Sequence, residues 1–423
     1  MRVTAAKVKN SLITFFGIDR LDSKFLNFAV SHLCFIIATN IHSVFVNILL
    51  MRVSDDVNIT IYYNMISYFC SGVSMMFSGM LIKRVYLKII TFTGIGCHVL
   101  AYGIFLFFMD RIELFMIPIA VLLGFGGGFF WFTYFNALTL YSQDDTRDIS
   151  ISFIGVFASV IALIVPAVAG AVIDLFEGYT GYEIMFACAF LISGISIFLF
   201  TRLPKVEPER NRTRYRYCFK RIFTNRCWFL VNAQVFLRST RDGVFLFFLN
   251  VLLYEYVASE ALVGLNSLLC GFMAIFSQFL CGKVVRAATR IRTMLFATCV
   301  LTAAVMLLAV QLSAATILIL SLVNAFFVVL LMNPASSIDF LVVSTLPDGY
   351  ACRGEYLAIF ELVRGLGRNA GLIVLLLIPK TEWGYVIALT GITLVQFLTI
   401  FCASRTQKEV AAYQQSQKED AHA

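Results

Sequence analysis

The residues best suited to chemistry are charged side chains inside apolar stretches. In CWFLVNAQVFLRSTRDGVFLFFLN, Arg238, Arg241 and Asp242 stand at i, i+3 and i+4, a spacing that places them on one face of a helix. Guanidinium groups donate paired hydrogen bonds to carboxylates and phosphates. We therefore expect Arg238 and Arg241 to present positive charge to an anionic or zwitterionic molecule, with Asp242 holding one guanidinium. The alternative is an internal Arg–Asp pair that only fixes helix packing.

A second row of charged side chains lies in the apolar segment YLAIFELVRGLGRNAG. Its members Glu361, Arg364 and Arg368 again follow helical spacing. Two interpretations stay open for this row: a charge latch that breaks and reforms, or direct contact with a bound molecule. Glu361 is also a candidate proton carrier, because carboxylates inside a membrane serve in proton relays.

Single polar residues in other apolar segments complete the candidate set. Asp339 is a candidate gate or proton carrier, but its place near the end of its segment favours simple contact with water. Asn333 precedes Pro334, which should bend the helix and leave a carbonyl free to line a cavity. Asn40 lies near the middle of its segment and is a candidate contact, as is Tyr134, whose ring can stack on an organic molecule.

The composition of the chain indicates that the apolar segments around these charges are membrane helices. The chain has 423 residues, is 60% hydrophobic and contains 42 Phe but only 7 Pro. Apolar runs of roughly 18 residues or more mark membrane helices, so we expect an all-α polytopic membrane protein. Twelve spans are expected at residues 24–50, 61–82, 89–109, 113–140, 149–173, 183–201, 228–254, 261–282, 293–312, 315–343, 354–378 and 383–403.

The stretch 202–226 divides the chain into two apolar blocks of similar length. It carries nine Lys/Arg against two acids, which is typical of a cytoplasmic loop. The remaining loops alternate between basic and mainly acidic, which predicts an even number of spans with both termini in the cytoplasm. The basic exceptions among the acidic loops are Arg52, Arg111 and Lys380.

The charge and cysteine content narrow the range of partners. The net charge of +8 comes from loops that set membrane orientation, so no nucleic-acid partner is expected. The 11 Cys form no C-x-x-C pair, so neither a disulfide framework nor a metal site is indicated. No cofactor is expected either.

The two blocks show signs of duplication. An offset of 203 residues aligns FVNILL at 45–50 with FLNVLL at 248–253, with four identities in six positions. The same offset aligns Gly79 with Gly282, and Lys83 with Arg286. Duplicated halves are common in transporters.

The loop after the second span resembles the loop motif of the major facilitator superfamily, G-x-x-x-D-R-x-G-R-K. The chain keeps Gly79, Arg84 and Lys88, has Lys83 in place of the Asp, and lacks the second Gly. With the spans and the basic loop, the resemblance covers the whole chain. The Gly-rich run at 124–131, with Glu361 and Arg368, resembles a poorly characterised bacterial branch.

The resemblance implies two pseudo-symmetric six-helix bundles at 1–201 and 227–404, joined by the linker 202–226 and followed by a polar cytoplasmic tail at 405–423. In that family, spans 1 and 7 line a central cavity, and span 11 flanks the interface between the bundles. It further implies a secondary transporter that moves a small organic solute by alternating access. Proton coupling is a hypothesis that rests on Glu361, Asp242 and Asp339. No enzyme is expected, because no span end carries His–His, His–Asp or Ser–His groupings at catalytic spacing.

Two other functions stay open for the same architecture: a flippase for lipid or lipid-linked head groups, and a non-transporting scaffold or sensor. We expect a monomer in a bacterial plasma membrane. Its expected partners are a small-molecule substrate, the lipid bilayer and, if the coupling hypothesis holds, protons.

Overall fold

The computed structural model describes residues 22–141, 147–204, 207–208, 213–346 and 352–422, and these form helices and connecting loops without any strand. A 3-10 helix, Met109–Phe115, lies between the third and fourth α-helices. The α-helices are α1 (Ser23–Ser54), α2 (Val57–Leu81), α3 (Leu87–Phe107), α4 (Met116–Tyr141), α5 (Arg147–Asp174), α6 (Thr180–Thr201), α7 (Tyr215–Thr224), α8 (Arg226–Phe245), α9 (Phe248–Val257), α10 (Glu260–Val284), α11 (Arg290–Val310), α12 (Ala314–Thr345), α13 (Arg353–Leu377), α14 (Glu382–Leu394) and α15 (Gln396–His422).

Short polar side chains set where several helices begin. The carboxylates of Asp22 and Asp56 each accept a hydrogen bond from the backbone N–H two residues further on. Ser313 and Thr316 form a reciprocal capping box at the start of α12. These bonds satisfy N–H groups that the first turn of a helix leaves without a partner.

Nine helical segments in the described ranges are long and apolar enough to cross a membrane, which confirms the helical membrane architecture. The predicted spans 61–82, 228–254 and 354–378 are helical but fall outside that set. The first is rich in Ser and Tyr, and the other two carry the charged rows. The count of twelve therefore stays a prediction.

Two predicted spans are divided into consecutive helices. The segment 228–254 breaks after Phe245, so that α8 is followed by α9. The segment 383–403 breaks at Val395, between α14 and α15. Pro334 does not end its helix, because α12 continues through it to Thr345. The first break follows the charged row closely, because Phe245 lies three residues after Asp242.

The helices pack as two groups, which we call the first half (22–204) and the second half (213–422). In the first half, α1 packs on α5 and α6, and α4 packs on α2 and α3. In the second half, α8 packs on α13 and α15, and α12 packs on α10 and α11. Two long helix pairs cross between the halves, α2 with α13 and α5 with α10.

The apolar core differs between the two ends of the molecule. We call the end that carries Asp55, Asp174 and Glu260 the acidic end, and the end that carries Lys83 and Arg286 the basic end. At the acidic end one buried cluster includes residues of both halves, among them Phe45 and Phe248. At the basic end, the buried residues of each cluster come from a single half. Apolar packing therefore joins the halves mainly at the acidic end.

Candidate functional site

Arg238 forms a sealed ion pair inside the second half. Its Nη2 lies 2.9 Å from Oδ2 of Asp339, and the two residues are only 3% and 4% exposed. The side-chain amide of Gln234 donates a further bond of 2.9 Å to Oδ1 of Asp339. The expectation that Asp339 simply contacts water is wrong, because this part of α12 packs against α8, which supplies both partners.

Arg241 is also enclosed in the second half, and none of the described acidic residues forms a salt bridge with it. It is 0% exposed, its Nη2 donates to Oδ1 of Asn324 at 2.6 Å, and its guanidinium lies 3.9 Å from the ring centroid of Phe245. Within the described residues its Nε and Nη1 have no hydrogen-bond partner. The expectation that Arg238 and Arg241 face a bound molecule is therefore wrong for this conformation.

Asp242 pairs with α13 instead of with its own helix. Nε and Nη2 of Arg368 donate to Oδ2 of Asp242 at 3.1 and 2.8 Å. The expectation that Asp242 holds Arg238 or Arg241 is wrong, because α12 supplies the partners of both arginines and α13 brings the Arg368 guanidinium to Asp242. Both side chains of the pair are 25% exposed.

The Asp242–Arg368 pair touches the first half. The guanidinium of Arg368 lies 5.0 Å from the ring centroid of Tyr68 on α2, and the Tyr68 hydroxyl donates to the carbonyl oxygen of Gly243 at 3.3 Å. A side chain at Gly243 would collide with Arg368, so the glycine allows α8 and α13 to approach. Sequence reasoning missed Tyr68, since one aromatic residue among many carries no signal.

Glu361 and Arg364 form a second ion pair along α13. Each side chain is 29% exposed, and the pair lies on the same helix as Arg368, which bonds to Asp242. The two charged rows thus meet in one place. We call the combined set the central charge cluster: Arg238, Arg241, Asp242, Asp339, Glu361, Arg364 and Arg368. Four arginines against three acids leave this cluster with a formal charge of +1.

Three other predicted contacts lie apart from the central charge cluster. The Asn40 amide donates to the carbonyl of Ile36 on its own helix, and the ring of Tyr134 stacks on His32 with centroids 4.2 Å apart. Asn333 donates to Oε1 of Gln278 on α10 at 2.6 Å. No contact described in the structure links Asn40, Tyr134 or Asn333 to the cluster.

The loop motif forms a connection between the halves at the basic end. Nζ of Lys83 lies 2.8 Å from Oε1 of Glu355, in the first turn of α13. The same oxygen accepts a bond from the backbone N–H of Arg214. We call this contact the basic latch. The position that the motif fills with Asp therefore carries the opposite charge, and its partner on α13 is an acid.

Gly79 has a packing role beside the basic latch. The Tyr215 hydroxyl donates to the Met76 carbonyl at 3.2 Å, and a side chain at Gly79 would collide with that hydroxyl. Burial beside Glu355 raises the pKa of Tyr215, so the hydroxyl keeps the proton that it donates. A larger residue at this position would therefore displace the Tyr215 hydroxyl from its present place.

The other motif residues are less involved in these contacts. The ammonium of Lys88 donates to the carbonyl of Thr201 at 3.0 Å, and Arg84 and Arg286 are exposed. A side chain added at Gly282 would meet open space. The repeated motif at Gly282 and Arg286 therefore does not reproduce the packing seen at Gly79.

A matching contact joins the halves at the acidic end. Glu260, at the start of α10, is 3% exposed. Its carboxylate accepts hydrogen bonds from Nη1 of Arg52 at 2.8 Å and from the Tyr182 hydroxyl at 2.8 Å. Asp174 accepts from Ser259 and from two backbone N–H groups at the same helix start. We call this contact the acidic latch. In the sequence, Arg52 is one of the few basic residues in the acidic loops, and this feature alone could have pointed to the contact.

The comparisons with known proteins give one consistent result. The model of the Major Facilitator Superfamily matches residues 28–372. The uncharacterised protein YqgE of Bacillus subtilis is 25% identical over 339 residues, which is 79% of this chain and 77% of that protein. An uncharacterised Geobacillus stearothermophilus protein encoded in the sodM 3' region is 29% identical over 176 residues, covering 41% of this chain and 82% of that protein.

Solved transporters share the fold. A D-xylose–proton symporter superposes with a TM-score of 0.66 at 14% identity, over 88% of this chain and 96% of its own. A bacterial homologue of the iron transporter ferroportin, in an inward-facing state, has a TM-score of 0.66 at 12% identity, over 91% and 98%. At such identities the likeness concerns the fold alone.

Proposed function

The chain belongs to the major facilitator superfamily, and from that membership we propose that it moves a small anionic or zwitterionic organic solute by alternating access. The observation that carries the proposal is the pair of partly exposed ion pairs, Asp242–Arg368 and Glu361–Arg364. They lie within segments expected to cross the membrane, where a charge costs at least about 2.5 kcal/mol unless it has a partner or water. Their partial exposure indicates access to a water-filled passage.

The proposed substrate contacts are Arg364 and Arg368, in place of the sealed Arg238 and Arg241. Partly exposed guanidinium groups can exchange a protein carboxylate for a substrate carboxylate or phosphate with similar geometry. The surplus charge of the central charge cluster favours an anion at this place, because attraction between charges is strong where water is scarce. Tyr68 places a ring from the first half beside Arg368.

Alternating access is supported by the two latches. The basic latch Lys83–Glu355 and the acidic latch Arg52–Glu260 each join one half to the other, at opposite ends of the molecule. The apolar core is shared by both halves at the acidic end and divided at the basic end. This asymmetry fits a state that closes the acidic end and opens toward the basic end once the basic latch breaks.

Proton coupling is proposed through competition for the arginines. A substrate carboxylate that takes Arg368 leaves Asp242 without its cation, and the displaced carboxylate then favours the neutral form by binding one proton. The same exchange applies to Glu361 and Arg364. One proton would thus enter with one negative charge, which keeps the charge of the passage constant.

The orientation and assembly belong to the same proposal. We place both termini and the basic end on the cytoplasmic side of a bacterial plasma membrane, because the linker 202–226 carries nine basic residues. The chain acts as a monomer, since both halves of the passage come from one polypeptide.

The test begins with binding. Purified protein is screened by thermal shift against a library of carboxylate-bearing and phosphate-bearing metabolites, and hits are followed by uptake in proteoliposomes. Arg364→Gln and Arg368→Gln should each raise the Kd of an anionic hit at least about tenfold, which corresponds to roughly 1.4 kcal/mol of binding free energy. The matched control Arg84→Gln removes an exposed arginine outside the cluster and should leave binding unchanged.

Two results would contradict the proposal. If only cationic or uncharged compounds shift the transition, or if both cluster variants bind anionic hits normally, the site is elsewhere. If uptake is indifferent to collapse of the pH gradient while Arg368→Gln still abolishes it, the substrate site stands and proton coupling is wrong.

A further inference from the structure

The short helix α7 has two faces of different character. The face that includes Tyr215 and Cys218 is buried, and it packs on the second half and, through Tyr215, on α2 of the first half. The opposite face is exposed and includes Arg216, Lys220 and Phe223. These three residues stand at i, i+4 and i+7, so they form one stripe along the helix.

The position of α7, directly before a predicted membrane span, limits its distance from the membrane. It ends at Thr224, and α8 begins at Arg226 after the single capping residue Asn225. The segment that follows, from residue 228, is predicted to cross the bilayer, so we expect α7 to stay close to the membrane surface. The stripe is therefore held at the boundary between head groups and acyl chains, on the basic end.

Phe223 is the unusual member of the stripe. It is 84% exposed, although exposing a phenyl ring to water is energetically unfavourable. Basic residues beside an exposed aromatic ring are typical of helices that lie in the membrane interface, with the ring in the acyl boundary and the cations at the head groups.

The charge around the stripe is strongly of one sign. The stretch 202–226 has nine Lys/Arg and two acids, and the sequence of α7 contains Arg216, Lys220 and Arg221 but no Asp or Glu. Basic segments next to a membrane span attract anionic lipids. The matching partner is thus an anionic phospholipid surface.

We propose that the exposed stripe of α7, formed by Arg216, Lys220 and Phe223, is a docking surface for anionic phospholipids of the leaflet at the basic end. The start of the same helix contacts the basic latch, because the N–H of its N-cap residue Arg214 donates to Glu355. Tyr215, on the buried face of α7, donates to Met76 on α2. Lipid binding would hold α7 in place and so favour the closed basic latch. This surface does not depend on the identity of the transported solute.

The test places an indole in the stripe and asks which lipid reaches it. The full-length Phe223→Trp variant is reconstituted in phosphatidylcholine:phosphatidylglycerol vesicles at 3:1, with brominated acyl chains on one lipid at a time. The signal of the three native Trp is subtracted with the unsubstituted protein. Brominated phosphatidylglycerol should quench the introduced indole about threefold more, per mole fraction, than brominated phosphatidylcholine.

Charge removal supplies the control. Arg216→Gln with Lys220→Gln, in the Phe223→Trp background, should bring the two lipids to equal quenching. Arg286→Gln with Arg292→Gln removes two exposed arginines from the same end but away from α7, and should preserve the preference. Equal quenching before any charge is removed would overturn the proposal. Loss of the preference for phosphatidylglycerol in the Arg286→Gln, Arg292→Gln variant would also overturn it. So would an indole that neither lipid quenches, because the stripe would then face water or a soluble partner.

Discussion

The charged residues of the central cluster fall into two kinds that differ in exposure. Arg238 and Asp339 neutralise each other in a site closed to water, while Asp242 and Arg368 keep a quarter of their surface accessible. A sealed pair is expensive to break, since either partner alone would be an isolated charge in the interior. Stability therefore depends on the first pair, and exchange with a ligand is assigned to the second.

Arg238→Ala should destabilise the protein strongly, by about 3 to 5 kcal/mol, because it leaves Asp339 buried without a cation. Thermal unfolding of the purified protein in detergent measures this. Arg238→Ala combined with Asp339→Ala should recover a large part of the loss, since no unpaired charge is left. If the double variant is less stable than Arg238→Ala alone, the sealed pair does not behave as a unit.

At the scale of elements, α7 and α2 fit together through a glycine. Gly79 leaves the space that the Tyr215 hydroxyl occupies, and that hydroxyl satisfies the Met76 carbonyl. The motif residue thus matters because of a side chain more than one hundred residues later in the chain. A loop that is basic by composition becomes a structural contact between the halves.

Gly79→Ala should destabilise the basic end by about 1 to 3 kcal/mol, because the added methyl group collides with the Tyr215 hydroxyl. Tyr215→Phe in the same background should restore part of that loss, since it removes the colliding atom. Thermal unfolding of both variants and of Tyr215→Phe alone completes the cycle. A strictly additive result would show that the two residues do not meet.

At the scale of the whole molecule, two charged latches hold the halves at opposite ends. The acidic latch has apolar packing around it, whereas the basic latch stands between separate cores. Breaking one latch should shift the balance toward the state in which that end is open. The two ends are therefore expected to respond in opposite directions.

Arg52→Gln should increase amide hydrogen exchange at the acidic end, around the start of α10, and reduce it at the basic end. Lys83→Gln is the reciprocal variant and should do the reverse, because it removes the cation of the other latch. Exchange followed by mass spectrometry in detergent or nanodiscs gives both readouts at once. Parallel changes at both ends in either variant would contradict a coupled movement of rigid halves.

The sequence by itself determined the class of this protein and the location of its charges along the chain. Apolar runs longer than a bilayer is thick require helices, and the rows around Arg238 and Glu361 were visible because charged residues are rare in such runs. The loop motif indicated the family, which the match over residues 28–372 confirms.

Only the tertiary structure decided how those charges pair. Helical spacing placed Arg238, Arg241 and Asp242 on one side of α8, but α12 and α13 both pack there and divide the three between them. Asp339 looked accessible from its position in the chain and is closed off by α8. The partner of each charged side chain depends on which helices become neighbours in the fold. Contacts between segments far apart in the sequence decide this, and the periodicity within one segment carries no information about them.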